Sequence, residues 1–285
     1  MCAEERPCAN PPTLKGAWAQ QGGPAEFLFE TERVVLRQDG EFRAATILSR
    51  EPCKLVVRDQ GLRSTWTLTG DEHALQLNEG KGALVLVPLS SIPASLDIRP
   101  FPLPPLQPVP AEKVKEITQE LTSRSRRDQE AYKKPEERAT RPGILAENGQ
   151  YLRQVVGQYG WIDIPRFGRP AAAAAILIVK HAGDVPLMQA ALPIVERDAI
   201  ENGGGKELVS ILVDDVLITT GHKQKYGTQI AEDGRGKPYV VPVEDPSKVD
   251  EYRKTLGILS WAEYLKRASD FYYSGAPIRL PGMDE

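Results

Sequence analysis

Eight prolines fall between Pro88 and Pro110, and no other feature limits the fold of this sequence so strongly. Proline gives no N–H to a ladder and fixes φ at about −65°, so a run this dense builds neither an interior strand nor a helix. The chain must fold on either side of it. We read residues 1–87 as one domain, 88–111 as a semi-rigid linker of polyproline II character, and 112–285 as a second domain. The length of 285 residues suits two cores, since single domains cluster at about 100 to 150 residues.

Upstream of the prolines, short β-prone runs alternate with turn signals. Residues 26–30, 33–37, 42–48, 53–58, 63–68, 74–77 and 83–87 carry β-branched and aromatic side chains, and Asp39-Gly40, Gly61, Gly70-Asp71 and Glu79-Gly80 separate them. This spacing predicts a small antiparallel barrel or meander without helices. The opening Leu14-Lys15-Gly16-Ala17-Trp18 resembles the start of the short lipocalin-like domains of bacterial proteins. The resemblance implies a barrel plugged at one end by Trp18.

Downstream the pattern is helical. In 112–138 an apolar stripe of Val114, Ile117 and Leu121 is surrounded by eight basic and seven acidic residues, so Arg124, Arg126 and Arg127 read as a solvated face rather than a phosphate clamp. A second helix over 147–159 ends at Gly160, and Arg169-Pro170 opens a third whose Ala171 to Ala175 allow close helix contact before His181. Asp184 and Pro186 suit the N-cap and first turn of a fourth helix, bent at Pro193. After Asn202 and three glycines, 206–218 reads as helix or strand; 224–231 and 239–243 read as an irregular hairpin. Asp245-Pro246 begins a helix closed by Gly257, and Ser260 with Glu263 forms a capping box for the last helix. The expected class is α+β with two domains: an N-terminal small antiparallel β-barrel or meander, then a mainly α-helical domain with a short hairpin.

A net charge of −3 with 26 % charged residues gives no broad reason to bind nucleic acid or an anionic membrane. The longest apolar runs, such as 171–179, fall short of the roughly 20 residues a membrane span needs. Cysteines stand at 2, 8 and 53, which leaves the His181 region without a thiol nucleophile or a zinc cluster. A Cys8–Cys53 disulfide or a lipid-carrying Cys2 would go with export, and three inert thiols with the cytoplasm, so the compartment stays open. No metal or other cofactor is expected. His181, Asp184 and His222 lack ligand spacing, and Gly203 to Gly205 lack the Lys-Ser/Thr of a phosphate loop.

The segment from Lys180 to Gln229 gathers His181, Gln189, Gln224, Tyr226, Thr228 and Gln229 within an apolar helical framework. Burying such groups unpaired costs roughly 1–3 kcal/mol each, so they pair with one another or with a ligand. His181, at the end of a buried helix, can serve as acid or base, and Tyr226 as proton donor. Gln189, Gln224, Thr228 and Gln229 can position a substrate; in an extended strand Gln224, Tyr226 and Thr228 would share one face. The competing reading makes the same groups a polar clamp that ties a hairpin onto helix ends.

Gly160-Trp161, Gly168, the alanine run, His181-Ala182, Pro186, Gln189, Gln224-x-Tyr226-Gly227-Thr228-Gln229, Asp245-Pro246, Val249-Asp250, Arg253 and Gly257 resemble a bacterial helical domain family of unknown function, over about residues 112–268. That family's pattern has an acidic residue after His-Ala and an Arg after the Asp matched by Asp214, where this chain has Gly183 and Asp215. The departure implies a lost or altered activity if those two groups do the family's work. Three readings follow: an enzyme carrying out hydrolysis or elimination on a small polar or peptide substrate through His181, a non-catalytic protein that binds a small molecule or peptide beside a structural β module, or a purely structural role.

Overall fold

The computed structural model describes residues 14–38, 41–59, 62–71, 73–78, 82–93, 96, 99–134, 139–233 and 235–280. The chain divides into two compact units, Met1–Ile98 with Leu217–Lys223 and Arg99–Val216 with Gln224–Glu285.

The first unit is built on a closed antiparallel barrel of β1 (Gly16–Gln20), β2 (Glu26–Phe29), β3 (Arg33–Gln38), β4 (Glu41–Glu51), β5 (Lys54–Asp59), β6 (Leu62–Gly70), β7 (Leu75–Asn78) and β8 (Ala83–Pro88). Each strand pairs with the next, and β1 pairs with β8, which leaves no free edge. The seven expected strands are present. The strand that closes the barrel, β1, lies in the stretch that the sequence reading treated only as an opening motif. Side-chain alternation sorts the strands into an inside and an outside. Phe27 and Phe29 point inward with stacked rings 6.2 Å apart, in a core with Trp18, Leu36, Leu55, Trp66 and Leu77. Leu28, of opposite parity, packs outside with Ala17, Val35, Ala44 and Leu96. Eight strands enclose just enough room for such side chains, so this interior is a packed core. Cys53, in the β4–β5 turn, is disulfide-bonded. The expected partner Cys8, like Cys2, lies outside the described residues.

The second unit contains α1 (Ala111–Lys133), α2 (Arg141–Tyr159), α3 (Ile164–His181), α4 (Val185–Glu201), α5 (Lys206–Thr219) up to Val216, a hairpin of β9 (Ile230–Glu232) and β10 (Pro238–Val240), α6 (Val249–Leu256) and α7 (Trp261–Tyr272). α2 begins earlier than expected because Pro142 sits in its first turn, where its missing N–H costs nothing. Within α3 the backbone leaves helical geometry at Gly168 (φ 77°), so the regular helix starts at Arg169-Pro170 as the sequence implied. The small side chains of Ala171, Ala174 and Ala175 then bury α3 against its neighbours, α1 foremost. α4 is capped by Asp184, whose carboxylate accepts the Leu187 N–H at 3.1 Å, and it continues through Pro193 to Glu201.

Residues 99–110 are tied down within this unit as a strap. The Phe101 N–H donates to Pro186 O at 2.9 Å and the Gln107 N–H to Tyr159 O at 3.1 Å. Gly160 (φ 76°) admits the strap: a Cβ there would stand 3.1 Å from both Leu106 Cα and Pro104 O. At the other end, Ser260 and Glu263 form the expected capping box at the start of α7.

Candidate functional site

The segment Gln224–Gln229 is organised by one carboxylate. Asp214, on α5, is completely buried (0 % exposed). Its Oδ1 accepts the N–H groups of Lys225 (2.7 Å) and Tyr226 (2.9 Å), and its Oδ2 accepts the Thr228 N–H (2.9 Å) and hydroxyl (2.8 Å). Burial pushes the Asp214 carboxyl up, and these hydrogen bonds, from Tyr226 and Thr228 first, pull it back. The expected strand over 224–231 is therefore corrected. Backbone N–H groups that would have entered a ladder converge on Asp214, Gly227 adopts φ 68°, and the hairpin shrinks to β9 and β10. Gln224, Tyr226 and Thr228 are all buried, in a segment that is not a strand.

The side chains of this segment are engaged in the same knot. Gln224, 0 % exposed, donates through Nε2 to Val241 O and to Gln229 O (3.1 Å), while its Oε1 accepts the Gln229 N–H (2.8 Å). Gln229 Nε2 donates to Ile211 O (3.1 Å) and Thr228 Oγ1 (3.2 Å). α6 and α7 supply the outer fastenings. Arg253 donates to Tyr226 O (2.9 Å), the Trp261 indole N–H to Gly227 O (3.0 Å), and the Tyr264 hydroxyl to Thr228 O (2.7 Å). Trp261 also explains why residue 227 is glycine, since a Cβ there would lie 2.6 Å from Trp261 Cε2. Gly227→Ala, which combines that overlap with a left-handed backbone, is expected to cost about 3 kcal/mol in chemical denaturation; a loss below about 0.5 kcal/mol would show that the knot is not tight.

Tyr226 keeps a distinct position. Its ring meets Tyr252 edge-on at 6.4 Å, and Lys225 Nζ stands over both rings at 5.2 and 5.0 Å. Burial first, then the Glu196 and Asp214 carboxylates, pushes its phenol up to about 12. At neutral pH the phenol keeps its proton and can donate it in a hydrogen bond.

His181 belongs to a second constellation. At the end of α3 its Nδ1 bonds to Asp128 Oδ2 of α1, and the other oxygen of Asp128 accepts the Arg141 Nε–H of α2 at 2.9 Å. The Asp128 side chain is 2 % exposed while the imidazole is 21 % exposed, so a shielded carboxylate orients a ring that still reaches solvent. Burial pushes the Asp128 carboxyl up, but His181 and then Arg141 outweigh it and hold it below its ordinary value of 3.8. A carboxyl depressed in the folded state stabilises the fold above the unfolded value and loses that contribution as pH falls through the folded one. Asp128→Asn should therefore cost about 2 kcal/mol near neutral pH, with the difference from the parent shrinking below pH 3.8 in pH-dependent urea unfolding. A difference independent of pH would contradict the pairing.

The two constellations adjoin through α5. Consecutive residues on a helix point about 100° apart, so Asp214 serves the knot while Asp215 turns toward α3, its Oδ2 3.7 Å from Lys180 Nζ. Burial pushes the Asp215 carboxyl up, against the opposing pull of Lys180 and His181. Gln189 lies half-buried on α4. Asp128 and Arg141 were not singled out by sequence reasoning, because each sits in a charge-rich stretch that looks like a solvated surface. Asp214 was met only through the family resemblance; the signal that could have found it is an acid set among the apolar residues of 208–218. Among the described residues no cluster of His, Cys, Asp and Glu could hold a metal ion, and no helix is long and apolar enough to cross a membrane.

The protein thus joins an eight-stranded antiparallel barrel to a seven-helix unit, among the described residues, that carries a His–Asp pair and a carboxylate-centred knot. Residues 111–275, more than half of the chain, match a family of unknown function (DUF6624), and the chain belongs to that family. No curated protein and no solved structure matches it. The match agrees with the family resemblance seen in the sequence and extends it slightly at both ends.

Proposed function

We propose that the helical unit carries out acid–base chemistry, a hydrolysis or an elimination on a small polar or peptide substrate, with His181 as the general base. The observation that carries this reading is a partly exposed imidazole whose Nδ1 is taken by a buried, ion-paired carboxylate. A carboxylate at Nδ1 keeps the ring proton there, so Nε2 is left as the basic atom, and it stabilises the imidazolium formed when a proton is taken. Tyr226, still protonated at any physiological pH, is assigned the role of donor. Gln224, Thr228 and Gln229 then act by fixing the loop that carries the buried Tyr226, since their amides and hydroxyl are already bonded within it and to α5. Gln189, half-buried on α4, is assigned to positioning the substrate.

The test is turnover by the full chain on a panel of small esters, amides and β-substituted acids, run beside His181→Gln. Turnover in the parent alone supports the reading. Equal turnover in both proteins contradicts it, as does none in either. The second reading, a protein that binds a ligand or peptide without chemistry, draws support from the internal bonding of the loop's amides. A metabolite co-purifying unchanged in native mass spectrometry would favour it.

A further inference from the structure

The helical unit also contains a cavity of about 90 Å³ whose lining includes neither His181 nor any residue of the Asp214 knot. Trp161, Ile164, Ala172, Ile176, Val195 and Val209 make its walls. Protein interiors rarely leave voids larger than a water, and roughly 10–15 Å³ suffices to hold one. A space several times that size, walled by hydrocarbon, gives ordered water few partners and favours an apolar guest. The void follows from the sequence. The alanine run places Ala172 and Ala173, which also borders the cavity, where longer aliphatic side chains would have filled it.

Two polar residues border the cavity, and they differ in what they have left to give. Asp198, 5 % exposed, has both oxygens occupied, Oδ2 by the Ile164 N–H at 2.8 Å and Oδ1 by the Asn202 amide at 3.1 Å. Arg169 is exposed and donates through Nη2 to Asn202 O at 2.8 Å; its other N–H groups have no partner among the described residues. Arg169 is thus the lining side chain with hydrogen-bond donors to spare, and a guanidinium is suited to a carboxylate.

We propose that this cavity binds a short branched-chain carboxylate, its aliphatic tail among Ala172, Ile176 and Val195 and its carboxylate on Arg169. An engineered apolar cavity of about 150 Å³ accepts benzene, so the smaller space here suits a branched tail of isobutyl size. This site is independent of the acid–base reading.

Isovalerate titrated into the full chain, followed by methyl NMR and calorimetry, tests it. Saturable binding is expected, with shifts at the methyls of Ala172, Ala173, Ile176 and Val195. Ala172→Leu, which fills the space, should abolish binding while keeping the parent's melting temperature. Arg169→Gln should weaken binding about ten-fold, and the neutral analogue 3-methylbutanol should be weakened to a similar degree. Absence of saturation, shifts confined to other residues, or undiminished binding to Arg169→Gln would each overturn the proposal. The Arg169 variant and the methyl map decide the matter even if Ala172→Leu does not fold.

Discussion

His181→Gln should lower kcat for the proposed acid–base reaction by about 10²–10⁴-fold, the usual contribution of a positioned acid or base. Glutamine is the informative replacement because its amide can still donate to Asp128 yet cannot take up a proton. Asp128 also keeps its Arg141 partner at 2.9 Å, so the change leaves no isolated buried charge. Stability should consequently stay within about 1–2 kcal/mol of the parent. A large loss of kcat with an unchanged melting curve separates chemistry from structure. A large loss of stability would place His181 among the residues that hold α1, α2 and α3 together.

Asp214→Ala should have the reverse signature. Removing this carboxylate strands three backbone N–H groups and one hydroxyl where Asp214 itself has no solvent exposure. An unsatisfied buried donor costs about 1–3 kcal/mol. The loop can open to water at some of these positions, so the sum is not additive, and we expect a loss of about 4 kcal/mol. Asp214→Asn, which retains one acceptor oxygen, should fall between the parent and Asp214→Ala. Urea unfolding followed by far-ultraviolet circular dichroism measures both. If Asp214→Ala lost less than about 1 kcal/mol, the knot would not be holding α5 to α6 and α7.

These opposite expectations bear on what the sequence discloses. The barrel was legible because its strands alternate and its turns carry glycine, properties set by neighbours a few residues apart. β1 was harder to see, since Gly16 and Gln20 dilute a five-residue strand that the closure with β8 stabilises. The helix caps at Asp184 and Ser260 were readable for the same local reason. The knot was not, because it depends on Asp214 reaching a loop more than ten residues away. Period-two alternation in Gln224, Tyr226 and Thr228 suggested a strand, and long-range hydrogen bonds to one carboxylate overrode it. The partner of His181 was equally hidden: Asp128 lies 53 residues upstream, in a helix whose charges look like surface. Residue types marked the site, while its pairings depended on how α1, α2, α3 and α5 assemble.

The most direct test of the central claim is the nitrogen-15 spectrum of the His181 imidazole in the folded chain at a pH where the ring is neutral. The account predicts the tautomer protonated at Nδ1, with a strongly deshielded proton that disappears in Asp128→Asn, and an unprotonated Nε2. A ring protonated at Nε2, or a spectrum unchanged by Asp128→Asn, would contradict it.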